Sequence, residues 1–432
     1  MWDDLRSMVP ARWLQVARRR FESPPRGRIF LLGVALVATA LVILHRPDAV
    51  TNPQFFAEDG VNWYSQAYTL GPFVPFLTPY AGYLQVTSRI VAGLSLLVPI
   101  GWAPLVFVLA AIGCQVLPVV FLASDRLATI IPNTWLRLAL GFAYLNVPGA
   151  SGIDAILTDA QWHLAVLSYL IMIAPRPHKW YWRSLDIVGL AIAGLSGPFA
   201  LFLAPLALVV SLRRSQDLQQ WLVTGVLWAT ASVTAVVLVI NLQSERATLL
   251  HHASGTLLTA VDVVGVRIVM VAIIGTREAG HLQGVFGTPL LTAAVAGGLV
   301  LGILAFYYAS FEARIFLAYG AVLAVAALVA ERSIWTILLG TGGSQYWFVP
   351  ILAWVLALTV LAWRARSTLL RGLAVLLCTS FVLYGIPHDW RYPPLPNEHF
   401  ARAAATFQRA RPGQEVLFRE VPPGWVFELV KK

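Results

Sequence analysis

The sequence predicts an all-α integral membrane protein, and three observations carry that expectation. The 432 residues are 58% hydrophobic and only 12% charged, whereas soluble domains carry about 25% charged residues. Mean hydropathy is +0.72. Apolar runs near the roughly 20 residues that a membrane crossing needs recur along the chain, separated by short arginine-rich clusters. The net charge of +10 therefore points to membrane orientation rather than to nucleic acid. Cys114 and Cys378 both lie inside apolar runs, which argues against a disulfide framework or a cysteine metal motif.

The N-terminal 1–28 carries Arg18, Arg19, Arg20, Arg26 and Arg28 ahead of an apolar run over 29–44. No small-residue cleavage site follows, so the run reads as an uncleaved anchor. Basic clusters at the N-terminus, 126–137, 176–183, 213–214 and 364–371 are all expected on the cytoplasmic side. The first span leaves the cytoplasm, so an odd number of further spans must bring the chain back to Arg126. Two apolar runs, 83–99 and 103–123, lie in between, and one of them must not cross. The first contains Gln85, Ser88 and Arg89, and placing Arg89 at mid-membrane costs about 2.5–3.5 kcal/mol on insertion scales. The segment 83–99 is therefore expected to lie at the outer surface as a juxtamembrane helix.

The remainder then alternates to about eleven transmembrane helices over 29–387. The N-terminus is cytoplasmic, and the C-terminus lies outside a bacterial inner membrane. The first outer loop covers 46–102 and the fourth 242–287. Within the fourth, 257–275 reads as a second interfacial helix because it holds Asp262 and Arg267. The more polar tail, 388–432, is expected to pack against the outer loops. It reads as a helix capped by Asn397 with apolar Phe400, Ala403, Ala404 and Phe407, then the strand "EVLFREV" and the turn "PPGW".

Acidic residues are scarce, yet four gather on the outer side near span ends. Glu58 and Asp59 sit side by side in "NPQFFAEDGVNWYSQAYTLG", and Asp154 and Asp159 in "SGIDAILTDAQWHLA". Basic and imidazole groups share that side: Arg246, His251, His252, Arg277 and His281 in the fourth loop, and Arg89 in the first. Carboxylates facing cations at a membrane surface suit chemistry on a lipid-linked phosphate ester, where one group takes a proton and others stabilise the departing phosphate. Asp59 is the expected general base, with Glu58 orienting it or the acceptor. Gly60 is read as giving the backbone freedom to aim Asp59. Asp159 and His163 lie four residues apart on one helix face, while Asp154 reads as a cap for the span beginning near Gln161. Tyr64, Gln345 and Tyr346 complete a substrate-binding set, with Arg89, Arg246, His251, His252 and Arg277 as candidates for the donor phosphate. No P-loop or glycine-rich strand–helix turn is present to hold a nucleotide.

One span, a long outer loop with an acidic pair, juxtamembrane helices and a second span together resemble the GT-C glycosyltransferases. "ILTDAQWHLA" is similar to the acidic second outer loop of that class. "GLAIAGLSGPFALFLAPLALVV" resembles its fifth and sixth spans joined by a tight Gly-Pro turn, and "GGSQYWFVP" the aromatic–proline start of a late span. The turn "LSGPFA" departs from members that carry a lysine there. The resemblance implies an inverting glycosyltransferase at the periplasmic face. Its donor would be a polyprenyl-phosphate-linked sugar, and its acceptor an envelope glycan, lipid or protein. It gives no certain cofactor and leaves a divalent cation bridging the donor phosphate open; a lone acidic pair does not make a metal site. A transporter or flippase for an envelope lipid or glycan is the alternative, and it calls for polar residues along a path through the spans.

Overall fold

The computed structural model describes residues 27–177, 179–241, 257–330 and 343–432. The α-helices of six residues or more are α1 (Arg28–His45), α2 (Ser65–Leu70), α3 (Val86–Ser95), α4 (Ala103–Ala123), α5 (Thr134–Leu145), α6 (Ala160–Ile173), α7 (Trp180–Gly194) and α8 (Phe199–Arg213). They continue with α9 (Leu218–Asn241), α10 (Leu257–Val264), α11 (Thr276–Tyr308), α12 (Phe311–Ala330), α13 (Phe348–Arg364), α14 (Thr368–Ser380) and α15 (Phe400–Arg409). The strands β1 (Glu415–Glu420) and β2 (Trp425–Val430) form an antiparallel pair.

Among the described residues, 7 helices are long and apolar enough to cross a membrane: Arg28–His45, Ile100–Ala123, Leu218–Asn241, Thr276–Tyr308, Phe311–Val329, Ser344–Arg364 and Thr368–Asp389. That is fewer than the expected eleven. The difference lies in α5 to α8, which have 12 to 15 residues each and fall short of the roughly 20 that span a bilayer upright. The segment around Arg89 forms only the ten-residue α3, too short to cross. The helix from Leu257 runs through a π-helical stretch, Gly265–Met270, to Ile274.

Side-chain ties divide the loops between two ends of the bundle. At one end Arg46 donates to the carbonyls of Asp154 and Ser151. Thr87 meets Ser196 there, its N–H donating to Oγ at 3.0 Å. Asp389 accepts from the backbone N–H of Gly149 at 2.8 Å and of Thr276 at 3.1 Å. At the other end Arg126 grips Asp186 with two bonds of 2.9 and 3.0 Å. Arg214 donates to the Ile173 carbonyl at 2.7 Å, and Arg364 reaches the Tyr308 carbonyl. The first of these groups is called the outer end below.

The outer end carries its own apolar core, separate from that of the bundle. Phe55, Trp63, Tyr64, Phe107, Phe400, Phe407, Phe418 and Phe427 form it together with smaller residues. Phe55 lies 5.0 Å from Phe107 and 5.2 Å from Phe400, and Phe418 stacks on Phe427 at 5.0 Å. Burying an aromatic or aliphatic side chain of this size contributes about 1.5–3 kcal/mol. The tail is thus clamped to the first loop by several such terms. Gln54 and Asp48 reinforce it by bonding the backbone at Pro396, Glu398 and Leu395.

The tail differs from expectation in two details. The helix starts at Phe400 with His399 as its cap, while the Asn397 side chain accepts from the His399 N–H just before it. The second strand β2 also went unforeseen.

Candidate functional site

Asp59 opens a π-helix, Asp59–Tyr64, that leads directly into α2. The preceding Ala57 adopts a left-handed φ of 50°, which is uncommon for a residue with a side chain. This kink lets residues 55–57 pair with the tail. Val421 donates to the Phe55 carbonyl and accepts from the Ala57 N–H. The result brings Glu420, 360 positions away in sequence, onto the start of the π-helix. Its carboxylate accepts from the backbone N–H of Gly60 at 2.9 Å and of Val61 at 3.0 Å. Those are orphan donors of a helix N-terminus, where a negative charge is favoured. Glu420 therefore caps the helix from another part of the chain.

Gly60 has a different purpose from the one its sequence context suggested. A Cβ at this position would collide with Glu420 Oε2 and with the Phe427 ring. The glycine is required for close approach of the tail, not for freedom to aim Asp59.

Glu58 accepts from Tyr80 Oη and from Thr158 Oγ1, both at 3.2 Å. Trp63 Nε1 donates to the same Thr158 hydroxyl at 3.2 Å, so the first and second outer loops meet at Glu58. Asp59 is 3% exposed, and its Oδ1 has no hydrogen-bond partner. Burial holds its carboxyl well above the usual range, with the charges of Glu420, Glu58 and Asp159 adding to the effect and the Phe56 peptide offsetting part of it. Asp159 is pushed up to about 8 by burial and then by Glu58, against a side-chain hydrogen bond from Trp162. Glu420 is likewise raised to about 8, mainly by burial, despite its two backbone donors. Four carboxylates thus gather at one place, and there burial and neighbouring like charge disfavour the ionised forms of Asp59, Asp159 and Glu420.

The sequence could have flagged Glu420. In β1 the inward positions alternate as Val416, Phe418 and Glu420, so the carboxylate stands on the apolar face of an alternating strand.

Asp154 is not a helix cap. Helix α6 begins at Ala160 with Asp159 as its cap residue, and neither aspartate makes a side-chain capping bond there. The left-handed Ala155 separates Asp154 from the helix. Asp154 is buried instead, accepting from Tyr392 Oη at 2.7 Å and facing His45 Nδ1 at 3.7 Å and His163 Nε2 at 3.8 Å. His163 therefore turns to Asp154 rather than to Asp159, and its other nitrogen meets Tyr144 Oη at 2.7 Å. Its contribution is to this neighbouring polar cluster, beneath the carboxylates.

Tyr64 lies in the outer apolar core, 5.2 Å from Phe55. Tyr346 packs edge-on against Trp162 at 5.8 Å, which places it and the half-buried Gln345 beside the start of α6. Arg89 is 2% exposed and braces the first loop from within. It donates to the carbonyls of Leu84 and Thr78 and to Gln66 Oε1, below the Trp63 ring. Arg277 and His281 stand exposed on the first turns of α11. Arg246, His251 and His252 fall outside the described residues. Among the described residues, no group of three or more His, Cys, Asp or Glu side chains is arranged to hold a metal ion. Comparison of the chain with protein-family models, with curated proteins and with solved structures finds no match.

Proposed function

We propose that the protein is an inverting glycosyltransferase of GT-C type. It moves one sugar from a polyprenyl-phosphate donor to an envelope glycan, lipid or protein acceptor at the periplasmic face of a bacterial inner membrane. The observation that carries this is the convergence of Glu58, Asp59, Asp159 and Glu420 at one end of an apolar bundle, with the Asp59 carboxylate buried and one oxygen unpartnered. A carboxylate with a raised pKa is a stronger base once ionised, and it matches a hydroxyl nucleophile better than an ordinary aspartate does. Asp59 takes the proton of the acceptor hydroxyl as that oxygen attacks the anomeric carbon. The sugar–phosphate C–O bond breaks, and its electron pair leaves with the polyprenyl phosphate. Arg277, exposed on the first turn of α11, is the cation assigned to that phosphate, with the His281 imidazole one turn on.

Eleven crossings are proposed, counting α5 to α8. Their support is that from Thr87 to Tyr308 the loop ties fall at alternate ends of the bundle, with arginine-rich loops at the end opposite the carboxylates.

A second reading, a transporter or flippase, draws on one specific observation: the buried cluster of His45, Asp154, His163, Tyr144 and Tyr392 between helices. Ionisable groups within a membrane bundle commonly mark a transport path. Mass spectrometry of envelope glycans from cells with and without the protein separates the two. Loss of a transferase leaves glycans lighter by one sugar unit at the cell surface. Loss of a flippase leaves complete glycans retained on their lipid carrier, and that outcome would displace the transferase.

A further inference from the structure

At the end of the bundle opposite the carboxylates, a recess of about 740 Å³ opens between the start of α1 and the start of α7. Its floor is Arg126, 8% exposed and locked to Asp186 by the two bonds described above. Arg126 also donates to the Pro175 carbonyl at 3.3 Å and lies over the rings of Phe121 and Trp182. Asp186 cancels its charge, which leaves Arg28, Arg176 and Lys179 around the recess against Asp125 alone. Three positive charges against one make the recess a site for an anion.

Position selects the kind of anion. Arg28 is the first residue of a candidate span. Trp180 is 76% exposed beside Tyr181 and Trp182, an arrangement typical of the headgroup level of a bilayer. Leu31 lines the recess, and Leu32 and Leu36 of the same helix are 60% and 62% exposed. A hydrocarbon chain whose headgroup sits among the cations would pass Leu31 and lie against Leu32 and Leu36, which share the adjoining exposed face of α1. Basic pockets between helices at the cytoplasmic surface bind anionic headgroups in this way.

We propose that this recess binds the phosphodiester headgroup of an anionic phospholipid, with Arg28, Arg176 and Lys179 as its cationic contacts and its acyl chain along Leu31, Leu32 and Leu36. The assignment is independent of the chemistry at the outer end.

Native mass spectrometry of the detergent-purified full chain tests it, using phosphatidylglycerol, phosphatidylcholine of the same chain length, and inorganic phosphate. Phosphatidylglycerol should be retained in preference to phosphatidylcholine. The exposed pair Arg176→Gln with Lys179→Gln should weaken that retention about tenfold or more, since each basic residue near an anionic headgroup contributes severalfold. Arg364→Gln with Arg366→Gln removes the same charge at the same end but outside the recess, and should leave retention unchanged. Equal loss in both double variants would mean a diffuse attraction and overturn the site. Equal binding of phosphatidylcholine would remove the charge selection on which it stands. Displacement of the lipid by an equal concentration of inorganic phosphate would assign the recess to a soluble phosphate instead.

Discussion

Asp59→Asn is expected to lower turnover by about 10²–10⁴-fold, the range that a positioned general base contributes, while expression and donor binding stay intact. Asparagine keeps the size of the side chain and removes the basic oxygen. At this position it also removes a carboxyl whose ionisation is disfavoured, since burial and the charges of Glu420, Glu58 and Asp159 all push its pKa up. The folded protein should therefore tolerate the change well, which separates a catalytic loss from a structural one. Rate measurements on the purified variant with a lipid-linked sugar check this. A variant that keeps more than about a tenth of wild-type activity excludes Asp59 as the base, given the size of the expected effect.

Replacing Glu420 should be almost as damaging, for a different reason. Its carboxylate holds the N–H groups of Gly60 and Val61, and so fixes the turn of helix on which Asp59 sits. Glu420→Ala leaves two donors without partners at a cost of about 1–3 kcal/mol each, and a displacement of about 1 Å at a reacting group can cost 10²-fold in rate. Glu420 acts through Asp59, so a loss of rate alone does not distinguish positioning from general damage. The pH profile does. Asp59 works as a base only when deprotonated, so kcat/KM rises with pH through its raised pKa and levels off above it. In Glu420→Gln the negative charge that Glu420 gains as it ionises at about pH 8 can no longer form beside Asp59, which lowers the Asp59 pKa and should move the acid limb of the profile to lower pH. A profile that falls in height without shifting would reduce Glu420 to a structural support.

Much of this arrangement is legible in the sequence, and the limits have physical causes. Arg89 in a proline- and glycine-bounded run announces a helix too polar to cross, and α3 is such a helix. The role once expected of Arg89 at a phosphate meets a side chain already engaged by Leu84, Thr78 and Gln66. Local spacing cannot show those partners. Asp159 and His163 have the right separation for a pair. Yet Asp159 stands at the cap, and the backbone turn at Ala155 sends Asp154 toward the imidazole first. Phe55, Trp63 and Tyr64 look like an interfacial belt when only their own loop is read. They are buried because Phe400, Phe418 and Phe427 arrive from the far end of the chain. The same long-range pairing hides Glu420, whose only local signal is an acid on the inward face of β1. Hydropathy also overstates the length of the inner helices, since α5 to α8 end at turns such as Ser196–Pro198 sooner than their apolar composition suggests.

The central claim is that the outer carboxylate cluster drives cleavage of a sugar–phosphate bond on a lipid carrier. Its most direct test is release of free polyprenyl phosphate by the purified protein in liposomes, with a polyprenyl-phosphate-linked sugar and an envelope-glycan acceptor supplied. Wild-type protein should release one polyprenyl phosphate for each sugar gained by the acceptor, and Asp59→Asn should release almost none. Intact donor recovered on the opposite leaflet, or equal release by wild type and Asp59→Asn, would contradict the claim.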